Sequence, residues 1–241
     1  MTASSSDAMR GVVFDMDGVL VDSEHLWEES WVDFCRRHGR TWTPEDTAHV
    51  QGMSAPEWAG YIARLCGDPN LAATVNDECV GYVIRALERG EVELLDGATA
   101  MVTTAAGRVP VAIASSAPRT VIDAVLHANG LTASFTATVS SEEVPRGKPS
   151  PDVYSAAAAR LGVPPESCVG VEDSGNGIRA ARAAGLTVVA IPNPTYPPKP
   201  DALALTARVA GSHADARDWI AAALDGRPTP VGGGSAQEVT P

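Results

Sequence analysis

Basic residues are scarce in this chain of 241 residues: 18 Lys and Arg stand against 30 Asp and Glu, a formal net charge of -12. A partner held through a phosphate backbone needs a basic face, so the balance argues against nucleic acid. A small anion remains admissible if a few local cations or a metal ion override the unfavourable global field. Cysteine is sparse as well. Cys35, Cys66, Cys79 and Cys168 form no C-x-x-C pair, which argues against a zinc site and a disulfide framework and predicts four buried thiols in a reducing compartment. No stretch approaches the roughly 20 apolar residues that cross a bilayer, so no membrane partner is expected. The opening MTASSSDAMR lacks the apolar segment of a secretion signal, which predicts a polar leader over residues 1–9 and a cytoplasmic location. No Walker loop or G-x-G-x-x-G follows the first apolar run, which disfavours nucleotide and dinucleotide binding.

What the chain does have is enough apolar residues, 44%, for a full core. Four short runs, GVVFD, VPVAIAS, SCVGVED and LTVVAIP, alternate with Ala-rich amphipathic stretches, the pattern of a parallel sheet with crossover helices. Their near-continuous hydrophobicity predicts strands covered on both faces. After Ser115 a helix is expected, with Pro118 near its first turn, one face of Val121, Ile122, Val125 and Leu126, and NG as its end. IRAARAAGL should end on Gly185 as a C′ glycine.

One interval is too long for a crossover connection. Nearly a hundred residues separate the first run from the second. The interval holds four of the five tryptophans (Trp27, Trp31, Trp42 and Trp58) and helical patterns near 24–38, 55–66 and 71–89, so an inserted helical subdomain is expected over 24–92. The α/β core then comprises 10–23 and 93–225, NPTYPPKP is expected to be a surface loop, and 226–241 reads as a disordered tail.

In open α/β sheets, ligands bind beyond the carboxyl ends of the strands. Those ends carry Asp15 and Asp17, then Ser115 and Ser116, then Glu172 and Asp173, with Lys148 in the Gly/Pro-rich PRGKPSPDVY between the last two. Asp15 and Asp17, two apart on an extended segment, should face one cavity. Carboxylates converging on one pocket repel one another unless a cation sits among them, and hard oxygen ligands suit Mg²⁺. An EF-hand loop counted from Asp15 would place Leu20 and Leu26 where glycine and glutamate belong. A nucleophilic Ser174 would need glycine where Glu172 stands.

DMDGVLVDSE, AIASSAP, GKPSPDVY and GVEDSGNGIRAARAAG resemble the four motifs of the haloacid dehalogenase-like superfamily, in its β-phosphoglucomutase-like branch of capped phosphatases, over about residues 10–220. The resemblance implies a Rossmann-like α/β core with an inserted α-helical cap, and Mg²⁺-dependent phosphoryl transfer through an aspartyl-phosphate. It implies Asp15 as nucleophile and Asp17 as acid and base, with Asp15, Asp17 (through its carbonyl), Asp173 and Glu172 around the metal. Ser115, Ser116 (through its N–H) and Lys148 would hold the transferring oxygens, and Asp22 and Ser23 would set the hinge geometry. Dehalogenases of the superfamily lack an acid at the place of Asp17, so phosphate esters are expected. A mutase of the branch carries a cap histidine ten residues after that acid; Trp27 stands there, with His25 two residues off register, and hydrolysis is favoured. HLW resembles the entrance of sugar phosphatases of the branch, and QGMSAPEW its specificity loop. Candidate substrate-reading residues are therefore His25, Trp27, Gln51, Gly52, Met53, Ser54 and Trp58. The expected reaction is hydrolysis of a small phosphorylated metabolite, a sugar phosphate or phosphoglycolate, by a monomer or small homo-oligomer. A mutase and a phospho-acceptor signalling module are the alternatives; the long insertion and Asp17 speak against the latter.

Overall fold

The computed structural model describes residues 8–227. Six strands, β1 (Gly11–Phe14), β2 (Val111–Ser115), β3 (Ala137–Ser140), β4 (Cys168–Glu172), β5 (Thr187–Ala190) and β6 (Arg208–Val209), form one sheet in the order 3-2-1-4-5-6. Every pairing is parallel. β1, β2 and β4 are buried along their whole length, as their continuous apolar runs require. The four expected strands are present. β3 and β6 are additional, and both are edges: ATVS is half covered and RV is two residues long, so neither carries the apolar run that marks a doubly covered strand.

Alternation along the strands divides the core between the two faces. Val12, Phe14, Val111, Ile113, Val169 and Val171 point to one side, where α5 (Ala98–Ala106), α6 (Arg119–Ala128) and α10 (His213–Leu224) cover them. Val13, Ala112, Ala114 and Val188 point to the other, under α7 (Asp152–Leu161), α8 (Gly175–Ala183) and the short α9 (Pro200–Leu203). α6 presents Val121, Ile122, Val125 and Leu126 to the core and stops at Asn129, and Gly185 follows α8 with φ +98°.

Four helices fill the interval between β1 and α5: α1 (Glu24–Arg37), α2 (Pro44–Val50), α3 (Ala55–Leu65) and α4 (Ala72–Glu88). α2 lies outside the three expected patterns. It buries only Thr47 and Val50, too few apolar positions for a periodic signal, and depends on its start, where Thr43 and Asp46 form a capping box ahead of Pro44. The chain leaves and re-enters the sheet side by side: Val21 bridges Leu94 in antiparallel fashion, Asp22 N–H donates to the Glu93 carbonyl at 3.1 Å, and Leu95 N–H to the Leu20 carbonyl at 2.9 Å. The apolar residues of α1, α3 and α4 are continuous with the cluster around Phe14.

At the two ends, residues 1–7 of the expected leader and 228–241 of the expected tail lie outside the described residues. Met9 N–H donates to the Ala223 carbonyl of α10 at 3.2 Å. Among the described residues no helix is long and apolar enough to cross a membrane.

Phe14 is fully buried in the central strand and meets Phe135 edge-on at 6.2 Å. Phe14→Ala should lower stability by about 3–5 kcal/mol in urea unfolding. A loss below about 1 kcal/mol would contradict this account of the core.

Candidate active site

Strand order 3-2-1-4-5-6 places the reversal of winding between β1 and β4, and the acids stand at the carboxyl ends of these two strands. Asp15 continues the ladder beyond β1, its N–H donating to the Val171 carbonyl at 2.9 Å. Glu172 closes β4 and Asp173 follows it. Oxygens of Asp15, Glu172 and Asp173 lie within 4.8 Å of one another, and all three residues are buried.

Lys148 holds two members of this cluster together. Its ammonium is 1% exposed, 2.9 Å from Asp15 Oδ1 and 2.6 Å from Glu172 Oε1. Burial pulls its pKa down, but the two carboxylates outweigh burial and the net shift is upward, so the ammonium is retained. Glu172 is saturated with donors: Oε1 also accepts from the Tyr154 hydroxyl at 2.7 Å, and Oε2 from the N–H groups of Asp173 and Ser174 and the Ser174 hydroxyl. Asp173 differs. Its Oδ2 is buried without a hydrogen-bond partner. Burial, then Glu24, Glu172 and Asp15, push its carboxyl well above the usual range, and burial with Glu172 does the same to Asp15. A buried, unpartnered carboxylate oxygen on a member of an acid cluster is what a hard cation can satisfy, so these residues fit a divalent metal ion.

Gly18 leaves room beside that oxygen. A Cβ there would fall 2.2 Å from Asp173 Oδ2, and its φ of +73° is a conformation that favours glycine.

Asp17 lies apart from the cation cluster. Its Oδ1 accepts from the Ser23 hydroxyl and, at 3.1 Å, from the Trp27 indole N–H, while Ser115 Oγ stands 3.4 Å from Oδ2. Asp15 and Asp17 both line one cavity, and Lys148 and Ser115 are buried directly against their carboxylates. Ser116 lines the cavity, and its hydroxyl donates to the Gly52 carbonyl at 2.8 Å.

The other wall comes from the insertion. Glu24, Trp27 and Trp31, spaced i, i+3, i+7, form the cavity face of α1, and Gln51, Gly52, Met53 and Trp58 complete it. Trp27, Trp31 and Trp58 pack as a cluster with centroids 5.9 to 6.4 Å apart. The 51–53 turn is tied to the core, since Asn176 Nδ2 donates to the Gln51 carbonyl at 2.9 Å beside the Ser116 bond. Two candidate residues do not face the cavity. His25 falls one helical step away from the Glu24–Trp27 stripe, is half exposed, and lies 3.6 Å from Asp22. Ser54 caps α3, its N–H and hydroxyl both donating to Glu57.

Several cavity residues fell outside the sequence reading. Glu24 carries a signal that helical spacing could have revealed, three residues before Trp27. Tyr196 carries none, nor does Asn193 behind it, because NPTYPPKP reads as a surface loop. In the fold this loop turns those two side chains inward: Asn193 Nδ2 donates to Glu24 and the Tyr196 hydroxyl to Glu28, tying the core to α1.

The chain belongs to the haloacid dehalogenase-like hydrolases, whose family model matches residues 9–185. It is 32% identical over 187 residues to hexitol phosphatase B of Escherichia coli (strain K12), covering 76% of this chain and 83% of that protein. It is 30% identical over 184 residues to the bifunctional riboflavin kinase/FMN phosphatase of Arabidopsis thaliana, covering 76% of this chain and 48% of that protein, so it spans about half of that relative's length. Among solved structures, CbbY from Rhodobacter sphaeroides in complex with phosphate superposes with a TM-score of 0.75 at 26% identity, over 86% of this chain and 96% of that chain.

Two outcomes follow from this geometry. Gly18→Ala should weaken divalent-ion binding on the order of 10–100-fold in calorimetric titration, and unchanged affinity would contradict the assignment of Asp173 Oδ2. Burial raises Glu24 from an ordinary 4.5 to about 7, against a hydrogen bond from Gln51 and with help from Asp17, Asp22 and Glu172. The folded chain thus keeps a proton that the unfolded chain has released, and stability falls as pH rises from about 4.5 through about 7. In chelator-treated protein, Glu24→Gln should remove this slope and gain up to about 3 kcal/mol on wild type between about pH 4 and about pH 8. Parallel stability curves would refute it.

Proposed function

We infer that this chain is a phosphoric monoester hydrolase acting on a small phosphorylated metabolite, of sugar phosphate or phosphoglycolate type, through an aspartyl-phosphate on Asp15. One observation carries the reading: Asp15 and Asp17 share a cavity but have different neighbours, a lysine and a cation-ready acid cluster for the first, neutral donors for the second. Different environments around two carboxylates allow different roles.

An Asp15 oxygen attacks phosphorus and the ester P–O bond breaks. Asp17 gives its proton to the departing alkoxide, then takes one from the water that attacks the acyl-phosphate, releasing inorganic phosphate and restoring both carboxyl groups. Lys148, the Ser115 hydroxyl and the Ser116 N–H stabilise charge on the transferring oxygens. Asp15, Asp173 and Glu172, with the Asp17 carbonyl, would hold Mg²⁺, whose charge lets a phosphate dianion approach a carboxylate. Glu172, saturated by Lys148, Tyr154 and Ser174, serves chiefly to orient the others.

Residues 24–92 act as the cap over a core of 10–23 and 93–225. The core reads only phosphate; the leaving group is read by the tryptophan wall, which suits the C–H face of a polyol, and by Glu24 and Gln51, which suit its hydroxyls. The hexitol phosphatase relative supports this substrate class. With Trp27 in the register where a mutase carries histidine, hydrolysis is favoured over transfer back to a sugar.

A panel of sugar, polyol and glycolate phosphates assayed for phosphate release tests the function. Release should require Mg²⁺ and fall at least 1,000-fold, in order of magnitude, in Asp15→Asn. Metal-independent release, or an active Asp15→Asn, would overturn the proposal.

A further inference from the structure

The cavity between the sheet and the inserted helices has no positive charge on its wall. Among the described residues, those lining it include Asp15, Asp17, Glu24 and Asp173 but no Arg, Lys or His. The cations of the surrounding elements are committed elsewhere. Lys148 is buried between Asp15, at 2.9 Å, and Glu172, at 2.6 Å. His25 is half exposed beside Asp22, and Arg146 and Arg179 pair with Asp152 and Asp201. Lys148 and one divalent ion would balance Asp15, Glu172 and Asp173 and no more.

The side-chain donors along the wall are largely spent as well. The Thr47 hydroxyl donates to Glu28 Oε1 at 2.6 Å, the Tyr196 hydroxyl to Glu28 Oε2, and the Ser116 hydroxyl to the Gly52 carbonyl at 2.8 Å. Gln51 Nε2 donates to Glu24 Oε1 at 3.1 Å, and the Trp27 indole N–H to Asp17. A hydroxyl has a single proton, so Thr47 and Tyr196 have only lone pairs left for a ligand, and Glu28 stands directly behind both. Trp31 keeps an N–H without a partner, and it is uncharged. The wall therefore offers a leaving group chiefly acceptor oxygens and aromatic surface. An alcohol hydroxyl, which donates and accepts, fits such a wall. An ionised carboxylate or phosphate only accepts, and it meets like charge in Glu24 and Glu28.

We propose that this cavity selects its substrate by the charge of the leaving group: it takes a neutral, hydroxyl-bearing alcohol and rejects one that carries a second anion, whether a carboxylate or a further phosphate. The proposal rests on the hydrolase reading above and narrows it to esters of neutral polyols and sugars, excluding phosphoglycolate and bisphosphates.

The test compares kcat/KM within two pairs of esters that differ only in a CH₂OH or a carboxylate at the far end: glucitol 6-phosphate with 6-phosphogluconate, and 2-hydroxyethyl phosphate with phosphoglycolate. Wild type with Mg²⁺ should prefer the neutral member by about 100-fold or more in the longer pair and about tenfold or more in the shorter. Met53 lines the same wall, and Met53→Lys, which supplies the missing cation, should narrow the longer pair's ratio by about tenfold or more, mainly by raising turnover of 6-phosphogluconate. Glu24→Gln, which removes one like charge, should narrow it in the same direction and serves if Met53→Lys does not fold by circular dichroism. Neutral and anionic members turned over equally in both pairs, with release still lost in Asp15→Asn, would overturn the charge selection and leave the hydrolase standing. A ratio unchanged in both folded variants would overturn the assignment to this wall. No release from any phosphate ester would remove the hydrolase reading, and this proposal with it.

Discussion

Three buried carboxylates and one buried ammonium lie together, and the rest of the molecule is arranged around that imbalance. Lys148 compensates one of the charges of Asp15, Glu172 and Asp173, leaving two. Removing one partner of a buried pair costs several kcal/mol, since it leaves an uncompensated charge in low dielectric. Protons on its carboxyls, the direction in which burial pushes Asp15 and Asp173, or a divalent cation among them would relieve the cluster. Under the proposed function, the second condition is the one that would prepare Asp15 to meet a phosphate.

The fold supplies the frame that makes such crowding tolerable. β1 and β4 lie side by side at the centre of the sheet, buried on both faces, so their ends are held rigidly at a fixed spacing. α8 begins directly over Glu172, where Gly177 leaves no room for a side chain: a Cβ there would stand 1.8 Å from Glu172 Oε1. The inserted helices then close the opposite side with tryptophans, and three connections hold them down: Ser116 to Gly52, Asn176 to Gln51, and the Asn193–Tyr196 loop to α1. Burial strengthens the electrostatic interactions of Lys148 with Asp15 and Glu172.

Much of this was legible in the chain because the relevant signals are local. β1, β2, β4 and β5 announce themselves as apolar runs, and the acids, serines and lysine stand at the ends of such runs or in the loop between them. What stayed hidden depends on partners distant in sequence. β3 and β6 are edge strands whose short, half-covered segments acquire strand character only beside β2 and β5. α2 has a readable cap but no periodic face. His25 and Glu24 are adjacent in sequence, yet the helical step turns one to solvent and the other into the cavity. Nothing local shows that Asn193 reaches Glu24, 169 residues away.

Under the proposed function, charge balance in this cluster lets an Asp15 oxygen form a bond to phosphorus. Acid-quenching the enzyme during turnover of a phosphate ester with Mg²⁺, then mapping peptides by mass spectrometry, tests it most directly. The account predicts phosphate on the peptide containing Asp15, lost again when the quench follows substrate exhaustion. Full turnover with every quenched peptide unmodified, or phosphate on a different residue, would contradict it.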